Sequence, residues 1–296
     1  MPRFFLFKIK TKIRRIINRC ANFNRPASYP FISGDGFRTI SNFILDQFSD
    51  FKPHAVHYGD TVFVRTDFLD YFFNNLHPQI KHPYVLITHN EDSPVDVRYE
   101  KYIDNKILHW YAQNLMFIHK KVTLLPIGVQ NFTTGPQENF IYSYLKVNIA
   151  IHKKTKILFG FSLHPNIPER QEAYDALLKS KLSDKITTNR YEYYTHLSKY
   201  KFIASPAGGG IDCHRTWEAL YFRVIPILLK SPFSEQLRDL GFPALLIEKW
   251  SDVSDLTEKS LDRFYEQESI KFKNEKLHLD YWYNSFSKFR NNNPAI

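Results

Sequence analysis

Glycine and cysteine are scarce in this chain, with 10 of the former and 2 of the latter among 296 residues. Two cysteines, Cys20 and Cys213, cannot build a disulfide framework, and their separation offers no metal-ligand spacing. A reducing compartment is therefore expected. No internal repeat or low-complexity block interrupts the chain. Acidic residues are missing from the start: none precedes Asp35, whereas eight Lys and Arg fall within the first 25 positions. Without those eight, 32 basic side chains stand against 30 acidic ones, so the net charge of +10 belongs to the N-terminal segment. A body so nearly neutral has no broad cationic face, and a nucleic-acid partner is not expected.

What is present is a globular composition. Hydrophobic residues make up 43% of the chain, enough to bury a core in one large domain or two ordinary ones. The 26 Phe and 18 Tyr admit two readings, sugar-stacking surfaces or a general compositional drift, and the drift is favoured.

The opening segment "MPRFFLFKIKTKIRRIINRC" is patterned. On a helix of 3.6 residues per turn, Phe5, Leu6, Ile9, Ile13, Ile16 and Ile17 gather on one side, flanked by Lys and Arg. Residues 1–25 are thus a basic amphipathic segment able to lie on an anionic membrane surface. It is too short and too charged to span a bilayer, and no small-residue cleavage site marks it as a signal peptide. A helix packed on the protein's own body, or a frayed terminus, is the competing reading. The expected location is cytoplasmic, peripheral at the inner face of the membrane.

Beyond the tail, "RPASYPFISGDGFRTI" predicts a short strand, a Gly-Asp-Gly turn and a helix running to about Phe48. The apolar runs "DTVFVRTD", "YVLITHN", "ILHWYAQN" and "VTLLPIGVQN" each end in polar or turn residues, as buried parallel strands do. The pattern lapses from Thr133 to Thr155 and restarts with "KILFGFS". A domain boundary near residue 150 follows, dividing residues 26–150 from residues 151–296. Strands are expected at 156–162, 201–204, 224–229 and in "ALLIE", with helices at 168–180, 191–199, 212–222 and 233–240. The last forty residues read as helical and aromatic, packing back across both domains. Two alternating strand-and-helix halves predict an α/β protein with two Rossmann-like, doubly wound domains facing a cleft.

The chain concentrates its glycine in "KFIASPAGGGIDCHRTWEALYFRVIPILL". Gly208, Gly209 and Gly210 sit between a strand and a helix that the pattern opens at Asp212. Glycine permits positive φ and close approach of a ligand, and a helix start offers N–H groups and a positive dipole end to phosphate. Arg215 and Glu218, three apart on one face, suit a diphosphate and a ribose diol respectively. The competing reading makes Asp212 an N-cap and Arg215–Glu218 a surface ion pair. The loop matches neither the dinucleotide fingerprint nor the Walker loop.

The same stretch resembles the C-terminal signature of exostosin-like glycosyltransferases: a Pro, a glycine turn, an acidic residue, an Arg, then "EAL" and an apolar strand with "IP". Weaker similarity reaches "ISGDGFR", "VFVRTDFLDYFF", "YVLITHNEDSP" and "LLPIGVQN", as in an uncharacterised bacterial and viral branch of that group. The resemblance implies a GT-B fold, with a nucleotide-sugar in the C-terminal domain and an acceptor across the cleft. It places Arg215 on the diphosphate and Glu218 on the ribose, and it implies inversion at the anomeric carbon. At Phe222 and Arg223 the chain departs from the small residue or Gly usual in the family, so the end of this helix must be built differently.

No Asp-x-Asp triplet occurs anywhere. Its absence fits a diphosphate neutralised by helix N–H groups and Arg, with no metal and no cofactor. Arg170 is a second diphosphate candidate, and His214 completes the donor set of Gly208, Gly209, Gly210, Asp212, Arg215, Glu218 and Arg170. The general base is expected in "THNEDSP", with Asp92 and Glu91 ahead of His89, and Asp35 as a further carboxylate. Arg38, Asn90, Gln113 and Asn114 are expected on the acceptor side. Taken together these imply a metal-independent inverting glycosyltransferase, with a UDP-sugar the leading donor and a glycan or glycolipid of surface-polysaccharide or lipopolysaccharide type as acceptor. A non-catalytic nucleotide- or glycan-binding module on the same fold is the alternative.

Overall fold

The computed structural model describes residues 28–131, 152–188 and 190–291. The amphipathic segment 1–25 and the expected boundary near residue 150 lie outside the described residues. Two five-stranded sheets, all of whose strand pairs are parallel, organise the rest.

The first sheet holds β1 (Phe43–Leu45), β2 (Thr61–Arg65), β3 (Tyr84–His89), β4 (Ile107–Ala112) and β5 (Val122–Leu124), in spatial order 1-2-3-4-5. β2 and β3 carry apolar runs, Val62–Val64 and Tyr84–Ile87, and all of β3 is buried, as a strand covered on both faces must be. Thr66 to Gln79, between β2 and β3, winds as an irregular helical run of 3-10, α and π turns. The helix expected to reach Phe48 stops much earlier. α1 is Gly34–Thr39, capped by the Ser33 hydroxyl on the Gly36 amide at 3.0 Å. Residues 43–45 then pair with Val62–Val64 of β2, and this ladder overrides the helical spacing of Phe37, Ile40 and Ile44.

The second sheet holds β6 (Lys154–Phe159), β7 (Ser183–Lys185), β8 (Tyr200–Ala204), β9 (Ile225–Leu229) and β10 (Leu245–Ile247), in order 10-9-8-6-7. α2 (Pro168–Lys179), α3 (Arg190–Leu197), α4 (His214–Tyr221) and α5 (Pro232–Asp239) connect them. Alternation along β8 sends Phe202 and Ala204 into one cluster with Ile157, Phe159, Ile225 and Ile227, and Ile203 into another. The second cluster continues into the core of the first domain, so the two halves share an apolar interface.

α4 ends at Tyr221, and the departure at Phe222 and Arg223 acquires a physical account here. Arg223 stands in the left-handed region at φ 55°, its N–H on the Leu220 carbonyl at 3.1 Å, while the Val224 N–H reaches Ala219 at 2.8 Å. That is a Schellman stop with Arg in the position glycine normally fills.

The end of the chain divides its packing. α6 (Glu258–Glu268) and Trp250 lie against the second sheet, whereas α7 (Leu279–Asn291) returns to the first domain. There Trp282 and Phe286, both buried, meet Phe37 and Tyr111.

Candidate active site

A parallel sheet opens a crevice where its strand order reverses. In the second sheet that point lies between β6 and β8, since β7 is laid on the other side of β6. A cavity of about 880 Å³ occupies it, walled by the loops after β6, β7 and β8, by α3 and by the start of α4. All eight residues of the expected donor set line it: Gly208, Gly209, Gly210, Asp212, His214, Arg215, Glu218 and Arg170.

The three glycines serve a purpose other than the one their flexibility suggests. None has positive φ. Gly209 and Gly210 face the opposite domain so closely that a Cβ on Gly209 would lie 2.1 Å from the Asp92 carboxylate, and one on Gly210 2.7 Å from the Asn114 amide nitrogen, while one on Gly208 would meet Cys213 Sγ at 3.0 Å within its own domain. Bare backbone is what lets the domains meet here. Arg170 ties the loops together, donating from Nε to the Ala207 carbonyl at 2.8 Å and from Nη1 to that of Ser162 at 2.9 Å.

α4 begins at His214, two residues later than expected, with Cys213 rather than Asp212 at its cap position. Asp212 is instead a bracket between domains. Its carboxylate accepts the Ile127 amide at 2.7 Å and the Trp217 indole N–H at 2.7 Å, and its own N–H goes to Asn114 Oδ1 at 3.0 Å. Burial pushes its carboxyl up to about 7. One turn further on, Arg215 lies over the Phe161 ring at 5.5 Å, and its buried Nη1 has no hydrogen-bond partner among the described residues. Tyr193 Oη, on the same cavity, is likewise buried and unpartnered. Glu218 accepts the Tyr194 hydroxyl at 3.0 Å. A guanidinium N–H and a phenol without partners in a polar cavity can donate to a ligand's oxygens, and leaving them unsatisfied costs free energy.

A smaller cavity of about 260 Å³ lies beside the first, under the carboxyl ends of β3 and β4, and Asp92, Ile127 and His214 line both. Here the carboxylates and the histidine expected to compete as base separate by surroundings. His89 is fully buried; it donates Nε2–H to the Pro126 carbonyl at 3.0 Å and accepts the Asn90 amide on Nδ1 at 2.7 Å. Burial lowers its basicity to about 4, and both ring nitrogens are spoken for. Burial alone would raise the Glu91 carboxyl, but the Arg65 guanidinium at 2.7 Å holds it below its ordinary value. Asp35 is buried in the first turn of α1, its amide on Asn131 Oδ1 at 2.8 Å, and it lines neither cavity. Asp92 is exposed at the junction of the two. His214 stands at the same junction, its Nδ1–H donated to the Gly128 carbonyl at 2.8 Å. That bond fixes the tautomer and leaves the Nε2 lone pair as the ring's basic site.

Of the expected acceptor-side residues, Asn90 and Gln113 line the smaller cavity and two do not. Arg38 is turned away into an ion pair with Asp46 at 2.8 Å. Asn114 is fully buried as a bracket, donating to the Glu91 carbonyl at 3.1 Å while accepting the Asp212 amide. The amides at the end of "GVQN", which the sequence offers as readers of sugar hydroxyls, divide between the cavities, Gln130 on the larger and Asn131 on the smaller, whereas sequence reading missed Phe161, Thr187, Thr188, Tyr193 and Tyr194 on the larger one. Among the described residues no three His, Cys, Asp or Glu side chains are gathered as metal ligands. No described helix is long and apolar enough to cross a membrane.

Fold and site together define a two-domain parallel α/β protein with a polar site in the cleft. No family model matches the chain, and no curated protein matches it by sequence. Three solved structures that it is similar to are α,α-trehalose-phosphate synthases from Burkholderia. The UDP-forming enzyme of Burkholderia vietnamiensis has a TM-score of 0.45 at 11% identity, covering 78% of this chain and 74% of that one. That of Burkholderia xenovorans gives 0.44 at 11%, covering 79% and 74%. The Burkholderia multivorans enzyme gives 0.45 at 10%, covering 78% and 70%. Likeness at this level assigns neither activity nor substrate.

Proposed function

We propose that the protein is a glycosyltransferase that binds a nucleoside-diphosphate sugar in the larger cavity and an acceptor in the smaller one. The observation that carries this reading is Arg215 Nη1, buried without a partner at the switch point of the second sheet, beside the unpartnered Tyr193 hydroxyl. A diphosphate supplies the oxygens these donors lack, and Glu218, one turn deeper on α4, suits a ribose diol. Donor neutralisation by Arg215, Arg170 and loop N–H groups requires no metal ion, and a UDP-sugar remains the leading donor.

In the reaction, an acceptor hydroxyl oxygen forms a bond to the anomeric carbon from the smaller cavity. The bond from that carbon to the diphosphate breaks, and the nucleoside diphosphate leaves with its electron pair. The hydroxyl proton needs an acceptor at the junction, where Asp92 and His214 stand; with the leaving group on the opposite side, inversion follows. Residues 1–25 would hold the enzyme on an anionic membrane, where glycolipid and surface-polysaccharide acceptors are assembled. Sedimentation with anionic vesicles, lost on deleting those residues, tests that part.

Thermal stabilisation by uridine, guanosine, cytidine, adenosine and thymidine diphosphates, measured with EDTA on the wild type and on Arg215→Ala, tests the donor site. One nucleotide should raise the melting temperature of the wild type and leave the variant unmoved. A flat panel would remove the reading. Stabilisation without turnover on any acceptor would reduce the protein to a binding module.

A further inference from the structure

We infer that the smaller cavity receives an uncharged sugar unit and turns away phosphorylated and other anionic acceptors; this rests on the glycosyltransferase reading above. The starting point is the inventory of its walls. They carry two carboxylates, Glu91 and Asp92, the imidazoles of His89 and His214, and the amides of Asn90, Gln113 and Asn131, and among the described residues no Lys or Arg lines the cavity.

The cations nearest in the fold are committed elsewhere. Arg65 is shared between Glu91 at 2.7 Å and Asp67 at 3.2 Å, and Arg38 faces Asp46 at 2.8 Å. Arg215 and Arg170 line the neighbouring cavity, where the donor's own diphosphate claims them. An acceptor phosphate would therefore enter beside the Asp92 carboxylate, a Glu91 already paired with Arg65, and a diphosphate, and would find no uncommitted cation among the described residues, an arrangement that like-charge repulsion opposes.

The same walls suit hydroxyl groups. Gln113 is almost fully buried; its Oε1 accepts the Asn90 amide at 2.9 Å, and among the described residues no hydrogen bond engages its Nε2, which leaves N–H donors in the cavity wall. Glu91 and Asp92 offer acceptor oxygens opposite them. Alternating donors and acceptors of this kind match the hydroxyls of a sugar, each of which both donates and accepts. A volume of about 260 Å³, against roughly 30 Å³ for a water in the liquid, holds one ring and not an extended chain. The unit that reacts is thus a single neutral residue, whether free or at the end of a glycan or glycolipid.

The test uses the full-length protein and the nucleotide-sugars of whichever nucleoside diphosphate raises its melting temperature. Each is incubated with paired acceptors, a methyl hexopyranoside and its 6-phosphate or uronic acid counterpart, and release of the nucleoside diphosphate is followed. The neutral member should be used at least about tenfold better in kcat/KM. Glu91→Gln, which frees a positive charge on Arg65, should shrink that ratio several-fold, mainly by lowering KM for the anionic member. Preference for the anionic acceptor, or turnover with no uncharged acceptor in a panel of hexosides, overturns the inference. Failure of the glycosyltransferase reading shows separately, as absence of stabilisation by every nucleoside diphosphate.

Discussion

In the second sheet the chain lays β7 on one side of β6 and returns to lay β8 on the other, whereas in the first sheet each new strand joins the same edge as the last. The reversal parts the loops at the ends of β6 and β8 and leaves a crevice that the second domain lines for the most part with its own side chains. The first sheet has no such parting among its described strands. Its cavity is smaller, and its wall is completed by His214 from the other domain. The domain with the switch point builds most of its own ligand site and takes Asp92, Ile127 and Gln130 from the other, just as the first domain borrows His214.

The sharpest way to break that arrangement is at Gly128, whose carbonyl holds His214. Its φ is 69°, and a Cβ there would lie 2.2 Å from the Ile32 carbonyl oxygen, backbone against backbone. Gly128→Ala should cost several kcal/mol, on the order of 3 or more, and lower the melting temperature by many degrees. The next two substitutions separate the built site from the borrowed one. Arg215→Ala should abolish nucleotide-induced stabilisation and cut turnover by about 10² or more, while leaving the fold intact because it removes an unpartnered buried group. His214→Ala should keep the nucleotide-induced shift and lose about 10²-fold or more in turnover, and Asp92→Ala run beside it identifies which of the two takes the proton.

How much of this was readable beforehand follows from where each signal lives. Runs such as "YVLITH" and "KFIA" declare buried strands locally, and the glycine loop with Arg215 and Glu218 lies within a dozen residues, so the donor cavity was legible as a stretch of chain. β7 was not, because Ser183–Lys185 is a polar three-residue strand with no apolar run. Tyr193 and Tyr194 carry no local mark either. They sit on an ordinary-looking helix, and only the return of the chain from β7 to β8 brings them to Glu218. Asn114 at a strand end and Asp212 at a helix start look like site residues, yet contacts across the domain interface recruit them as brackets. Arg38 looked like an acceptor group until Asp46, eight residues on, claimed it.

A smaller effect pits the two domains against each other by pH. Burial depresses His89 to about 4, so its contribution is complete above its ordinary value near 6.5 and is lost as pH falls through about 4. Asp212 is raised to about 7, so its contribution is present below its ordinary 3.8 and is lost as pH rises through about 7. Between pH 4 and 7 the two slopes oppose. Melting temperature against pH should therefore tilt one way in His89→Gln and the other in Asp212→Asn, with the wild type flatter than either; parallel curves would refute the assignment. Least of all should Asp92→Asn disturb stability, a change within about 0.5 kcal/mol being expected for an exposed side chain, so that any loss of turnover there belongs to chemistry.

The return of α7 to the first domain also bears on how the molecule comes into being. Trp282 and Phe286 close the core around Phe37 and Tyr111, yet a ribosome delivers them only after the whole second domain has emerged. The usual order, in which the N-terminal domain completes itself while the rest is still being made, is inverted here. The half synthesised first must wait with an open apolar seam until the half synthesised last supplies the closing helix.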